Sequence, residues 1–109
     1  MPNRRGFFAT VRAVKRRFPL PFPLSVRFVP LRDHFGWADL VGDDDNKRFV
    51  IRLDSSMNNE MSLQILSHEY AHCLRWDFRH EYGDANWHGH DAAWGVHHAE
   101  VYRFIFDGE

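Results

Sequence analysis

The chain has 109 residues, 44% of them apolar and 16% aromatic, with a formal net charge of −1. That length holds one core and no second domain, so residues 1–109 are read as a single domain, and that apolar content excludes a disordered chain. The lone Cys73 excludes an intrachain disulfide, and no apolar run is long enough to cross a bilayer. The basic start Met1-Pro2-Asn3-Arg4-Arg5-Gly6 is not followed by an unbroken apolar stretch, so the expectation is a cytoplasmic protein without a signal peptide.

In chain order, Phe7, Val11, Val14 and Phe18 recur at helical spacing and predict a basic N-terminal helix over about 5–18, with Arg12, Lys15 and Arg16 largely off the apolar stripe. Residues 1–32 hold eight Arg or Lys and no acid, whereas residues 33–109 hold six basic and fifteen acidic side chains. Such an arm can steer a protein toward nucleic acid or be a solvated helix face. Pro19, Pro21 and Pro23 stop the helix and impose an extended segment. Residues 25–31 read as a first strand with Val26, Phe28 and Pro30 on one face, 35–41 as a second, and 48–53 as a third after a turn at 42–46. A small antiparallel sheet is the economical arrangement. The run 54–59 offers several caps, which predicts a helix from near Asn58 to about Asp77. On it Met61, Ile65, His68 and His72 share a face, flanked by Leu63, Leu66, Tyr70 and Leu74. A polar loop at 79–89 leads to a last helical pattern from His90 or Asp91 to Phe106, carrying Trp94, Val101 and Ile105.

The run His68-Glu69-Tyr70-Ala71-His72 carries the chemistry. Two imidazoles one helical turn apart point the same way and can share one Zn²⁺, and the adjacent carboxylate can take a proton from a water there; this H-E-x-x-H pattern is the zincin signature. A catalytic zinc needs a third protein ligand and an open position. The downstream candidates are His80, His88, His90, His97, His98, Glu100 and several Asp residues. Metzincin spacing is excluded, because Arg75 and Phe78 stand where it requires Gly and His. A thermolysin-like arrangement would take Glu100. Cys73 should point off the ligand face and be buried, and Trp76, Trp87 and Trp94 should pack in the core or at the rim. Asp91 suits a helix N-terminus, with a partner that holds an imidazole as the alternative, Tyr82 and Tyr102 are unselected oxyanion donors, and Asp43-Asp44-Asp45 is a solvated turn.

The segment His68–Trp76, followed by a polar loop and then His90-Asp91-Ala92-Ala93-Trp94, resembles the SprT-like metallopeptidases, in particular the short versions of bacteriophages and their bacterial hosts. The resemblance covers roughly residues 25–106. It implies an α+β fold, a small zincin-like domain in which a short antiparallel sheet packs on the active-site helix and a second helix carries the third ligand. It also implies that His68 and His72 are metal ligands, that Glu69 is the catalytic glutamate, and that His90 is the third ligand, since Trp94 stands four residues on as the family's aromatic does. Asp91, Ala92 and Ala93 depart from the family's usual Gly, Pro and Glu. The 17 residues between His72 and His90 are enough for the chain to turn and bring a second helix back across the first.

The expected function is zinc-dependent hydrolysis of peptide bonds in protein or peptide substrates. The resemblance implies DNA-associated, phage or host proteins as substrates and DNA association through the basic segment. A zinc ribbon often accompanies such domains, and one cysteine cannot build it. Two rivals remain. A non-catalytic zinc-stabilised binding module predicts a fourth protein ligand, such as His88 or Glu100, and a nucleic-acid-binding protein predicts dependence on Arg12, Lys15, Arg16 and Arg17.

Overall fold

Every strand pairs through the third. The computed structural model describes residues 3–76 and 92–108, and its elements in chain order are α1 (Arg5–Arg17), β1 (Leu24–Val29), β2 (Gly36–Val41), β3 (Arg48–Asp54), α2 (Asn59–Leu74) and α3 (Ala92–Asp107). The sheet order is β1-β3-β2, with β3 parallel to β1 and antiparallel to β2. The fold is a small α+β domain of three helices and a mixed three-stranded sheet, which corrects the expectation of an antiparallel sheet. The physical reason lies in β3, where Phe49, Ile51 and Leu53 are buried on one face and Val50 on the other. A strand apolar on both faces belongs in the centre of a sheet. β2 and β3 form a hairpin, so the strand on the free edge of β3, two chain reversals earlier, runs parallel to it.

The hairpin turn needs a glycine: Gly42 has φ +100°, and a Cβ there would lie 2.0 Å from the Asn46 carbonyl oxygen. The register puts Leu24, Val26 and Phe28 beside Phe49, Ile51 and Leu53, and these beside Leu40, Ala38 and Gly36, on the face that meets α2. Arg27, Arg52, Trp37 and Asp39 fall on the other face. The Arg52–Asp39 pair there spans 3.9 Å, a separation at which a half-exposed ion pair contributes little.

α1 buries Phe7, Val11 and Val14, the expected stripe, and Phe7 meets Phe28 of β1 edge-on with ring centres 4.9 Å apart. Its exposed side carries Arg5, Arg12, Lys15, Arg16 and Arg17. Arg4 has a different task. Its guanidinium donates to Asn59 Oδ1 (2.8 Å), Ser62 Oγ (3.3 Å) and the carbonyls of Met57 (2.9 Å) and Ser55 (3.2 Å), and lies 3.8 Å over the Phe28 ring. The start of α1 is thereby tied to the start of α2 through neutral oxygens. At the other end of α1, the buried Tyr70 hydroxyl donates to the Phe18 carbonyl at 2.6 Å.

Asn58 caps α2 by accepting from the Met61 N–H at 2.8 Å, a contribution of about 1 kcal/mol. The helix ends at Leu74, short of the expected Asp77, where Arg75 N–H returns to the Ala71 carbonyl and Trp76 leaves to meet Phe49 edge-on at 5.7 Å. α3 packs against α2, buries Val101 and sets Phe104 edge-on to Phe18 at 5.8 Å; its expected start at His90 or Asp91 lies outside the described residues. Among the described residues no helix is long and apolar enough to cross a membrane.

The contact that places α2 on the sheet is at Gly36. A Cβ there would lie 2.5 Å from Ile65 Cγ2, 3.2 Å from Glu69 Cγ and 3.3 Å from Leu53 Cδ2. A strand glycine of this kind marks a close approach by another element. Gly36→Ala should therefore cost about 1–3 kcal/mol by overpacking, read as a lowered midpoint in thermal or denaturant unfolding. An unchanged midpoint would show that Ile65 moves aside freely.

Candidate metal centre

α2 has two unlike sides. Leu66, Ser67, Tyr70, Ala71 and Cys73 are buried, while His68 and His72 stay half-buried at its margin. One helical turn separates the two imidazoles, and their Nε2 atoms stand 3.2 Å apart with ring centres at 4.9 Å. Two ring nitrogens at that distance repel unless a proton or a cation lies between them. His68, Glu69 and His72 each place a ligand atom within 4.8 Å of the others, a group that could hold a metal ion.

Glu69 is buried at 8% exposure, which rules out a solvated helix residue. Its side chain lies between α2 and the Gly36 edge of β2, and Oε2 is 3.9 Å from His68 Nε2, too far for a hydrogen bond. Burial pushes its carboxyl from 4.5 up to about 7. A cation between the imidazoles would draw it back down. Cys73 is buried as expected. Its thiol is pushed up by burial and then by the charge of Glu69, and it is not in the group of possible ligands found among the described residues.

α3 closes one side of the group. The Trp94 ring centre lies 5.0 Å from that of His68 and 5.5 Å from that of His72, and its indole N–H donates to the His68 carbonyl at 3.4 Å. This is a rim position, with the first turn of α3 seated on the imidazole pair. His98, one turn further, stacks on Trp94 at 4.8 Å and 17° and meets Ser67 Oγ at 3.3 Å. It is thus His98 that faces α2.

Of the expected site residues, His68, Glu69 and His72 are brought together. His90 lies outside the described residues, as do His80, His88, Asp91, Tyr82 and Trp87. Glu100 is exposed on α3 and is not in the group found among the described residues, and Tyr102 packs on Phe106 at 4.6 Å. Gly36 and Ser67 were not anticipated. A glycine opening a strand was a signal for the first, and a serine flanked by Leu66 and His68 gave none for the second.

Comparison of the chain with known families, with curated proteins and with solved structures returned no match.

The raised Glu69 carboxyl makes a pH prediction for the metal-free protein. Because the folded value lies above that of an unfolded glutamate, the folded state holds the proton more tightly. Stability from this group is present below about pH 4.5, is lost as pH rises toward 7, and stays lost above it. The full loss is on the order of 3 kcal/mol. Metal-free Glu69→Gln should accordingly be more stable than the parent at pH 8, with the gap closing by pH 5, in denaturant titrations at the two pH values. A gap of equal size at both would contradict the assignment.

Proposed function

We propose that this chain is a zinc-dependent endopeptidase of zincin type, acting on protein or peptide substrates. The observation that supports it is the His68–His72 pair with Glu69 buried beside it. Two nitrogens on one tetrahedral zinc are about 3.3 Å apart, given bonds of about 2.0–2.1 Å, and the two Nε2 atoms stand 3.2 Å apart. The donor set therefore fits zinc. His68 and His72 would hold it, and the third ligand is assigned to the stretch entering α3, where the resemblance to SprT-like metallopeptidases puts His90. Trp94 on both imidazoles supports that route, since it seats the beginning of α3 at the pair.

Zinc, when bound, supplies Lewis-acid polarisation of a water and of the scissile carbonyl. The rest falls to the chain. Glu69 takes the proton of the attacking water and returns it to the leaving amine. Its burial in the seam beside the imidazole pair keeps it next to the place where that water would stand. Its stem lies close against Gly36 of β2, which narrows the directions open to it. The exposed basic face of α1, with Arg5, Arg12, Lys15, Arg16 and Arg17, favours DNA-associated proteins as substrates, within the cytoplasm.

Replacing Glu69 with Gln keeps its size and removes the base. Zinc binding should survive at one per chain while hydrolysis of a protein substrate falls by about 10²–10⁴-fold. Turnover equal to the parent's would defeat the mechanism. Zinc retained at one per chain by both, with cleavage by neither, would favour a closed, non-catalytic metal module.

A further inference from the structure

Ser67 is fully buried, and its hydroxyl has one hydrogen to give. That hydrogen goes to the Gln64 carbonyl, one turn back along α2, at 2.7 Å. The oxygen that remains faces His98 Nε2 at 3.3 Å and can only accept. Nε2 of His98 must therefore carry a hydrogen and donate it, whatever charge the ring bears. The ring so fixed lies nearly parallel to the Trp94 indole, at 17° and 4.8 Å, and that indole rests on His68 and His72 in turn. At its far end α3 is held by Phe104 against Phe18. The near end is held by this stack.

We propose that His98 is a positioning residue of the metal centre: its Nε2–H, bolted to Ser67, fixes Trp94 against the two imidazoles and so sets their orientation and the place where the chain enters α3. The proposal rests on the metal-binding reading above and adds to it a polar anchor on the buried side of α2. Groups hydrogen-bonded directly to a metal-binding imidazole typically change metal affinity by about 10–100-fold when removed, and that range bounds what this anchor can do through Trp94. The anchor does not touch the ion, and its effect passes through Trp94. Ser67 precedes His68 on the same helix, so a loosened bolt frees α3 at the very turn that carries the first ligand.

The test is zinc affinity by competition with a chromophoric chelator, for the parent, Ser67→Ala, His98→Phe, the double variant, and His68→Ala as reference. Ser67→Ala removes the acceptor together with the hydroxyl's donation to the Gln64 carbonyl, and His98→Phe keeps a ring for the stack but no donor. Each should weaken zinc binding by about 10–100-fold, and the double variant should be no weaker than His98→Phe alone, because both remove one interaction. His98→Gln, which restores an N–H donor, should recover part of the loss. Parental affinity in Ser67→Ala and His98→Phe, with His68→Ala abolishing binding, would overturn the proposal and leave the metal site standing. Zinc binding that persists in His68→Ala would instead remove the reading beneath it. A measurement without substitution runs in parallel: imidazole ¹⁵N spectra of the metal-free protein should show His98 with hydrogen on Nε2. A ring with hydrogen on Nδ1 alone would refute the bolt even if every variant failed to fold.

Discussion

Two imidazoles one turn apart can share an ion only if the helix that bears them is held still from behind. In this chain the hold is the approach of α2 to the edge of the sheet at Gly36, where the absence of a Cβ lets Ile65 and Glu69 lie against the strand. The rest of the site inherits its geometry from that contact. Arg4 clamps the start of the helix through four oxygens and the Phe28 face, and Tyr70 ties its middle to the end of α1. With its back fixed at three places, the helix presents His68 and His72 with their Nε2 atoms 3.2 Å apart. A rigid element that holds two ligands at a set spacing lowers the cost of assembling them on binding.

The same contact shapes the electrostatics. Glu69 is not on the solvent side; it sits in the seam between helix and strand, with Oε2 3.9 Å from His68 Nε2, and burial lifts its carboxyl to about 7. Uncompensated, that is a penalty in the metal-free protein. A cation at the imidazole pair would turn the same carboxylate from a buried liability into a favourable neighbour, which couples metal binding to stability. A domain of this size has a small core to draw on, so the coupling carries weight.

Much of this was legible in the residues. The stripe Phe7, Val11 and Val14, the turn at Gly42, and the i, i+4 spacing of His68 and His72 are local patterns, and each is found where periodicity and turn chemistry put it. The order of strands was not legible. It depends on which strand is buried on both faces, and Val50 shows that β3 is the one only once its neighbours are in place. The burial of Glu69 was hidden for a like reason, because it is imposed by Gly36, 33 positions away in the chain. Trp94 and His98 are one turn apart on α3, but nothing local in that helix says that it faces the imidazole pair. Contacts between distant segments, unlike periods within one, leave little trace in a single sequence.

X-ray absorption at the zinc edge of the loaded protein would decide whether α2 bears an open zinc site. The expected result is one zinc per chain with three histidine nitrogens at about 2.0–2.1 Å and one exchangeable oxygen. Four protein donors with no exchangeable oxygen, or no stoichiometric zinc, would contradict it.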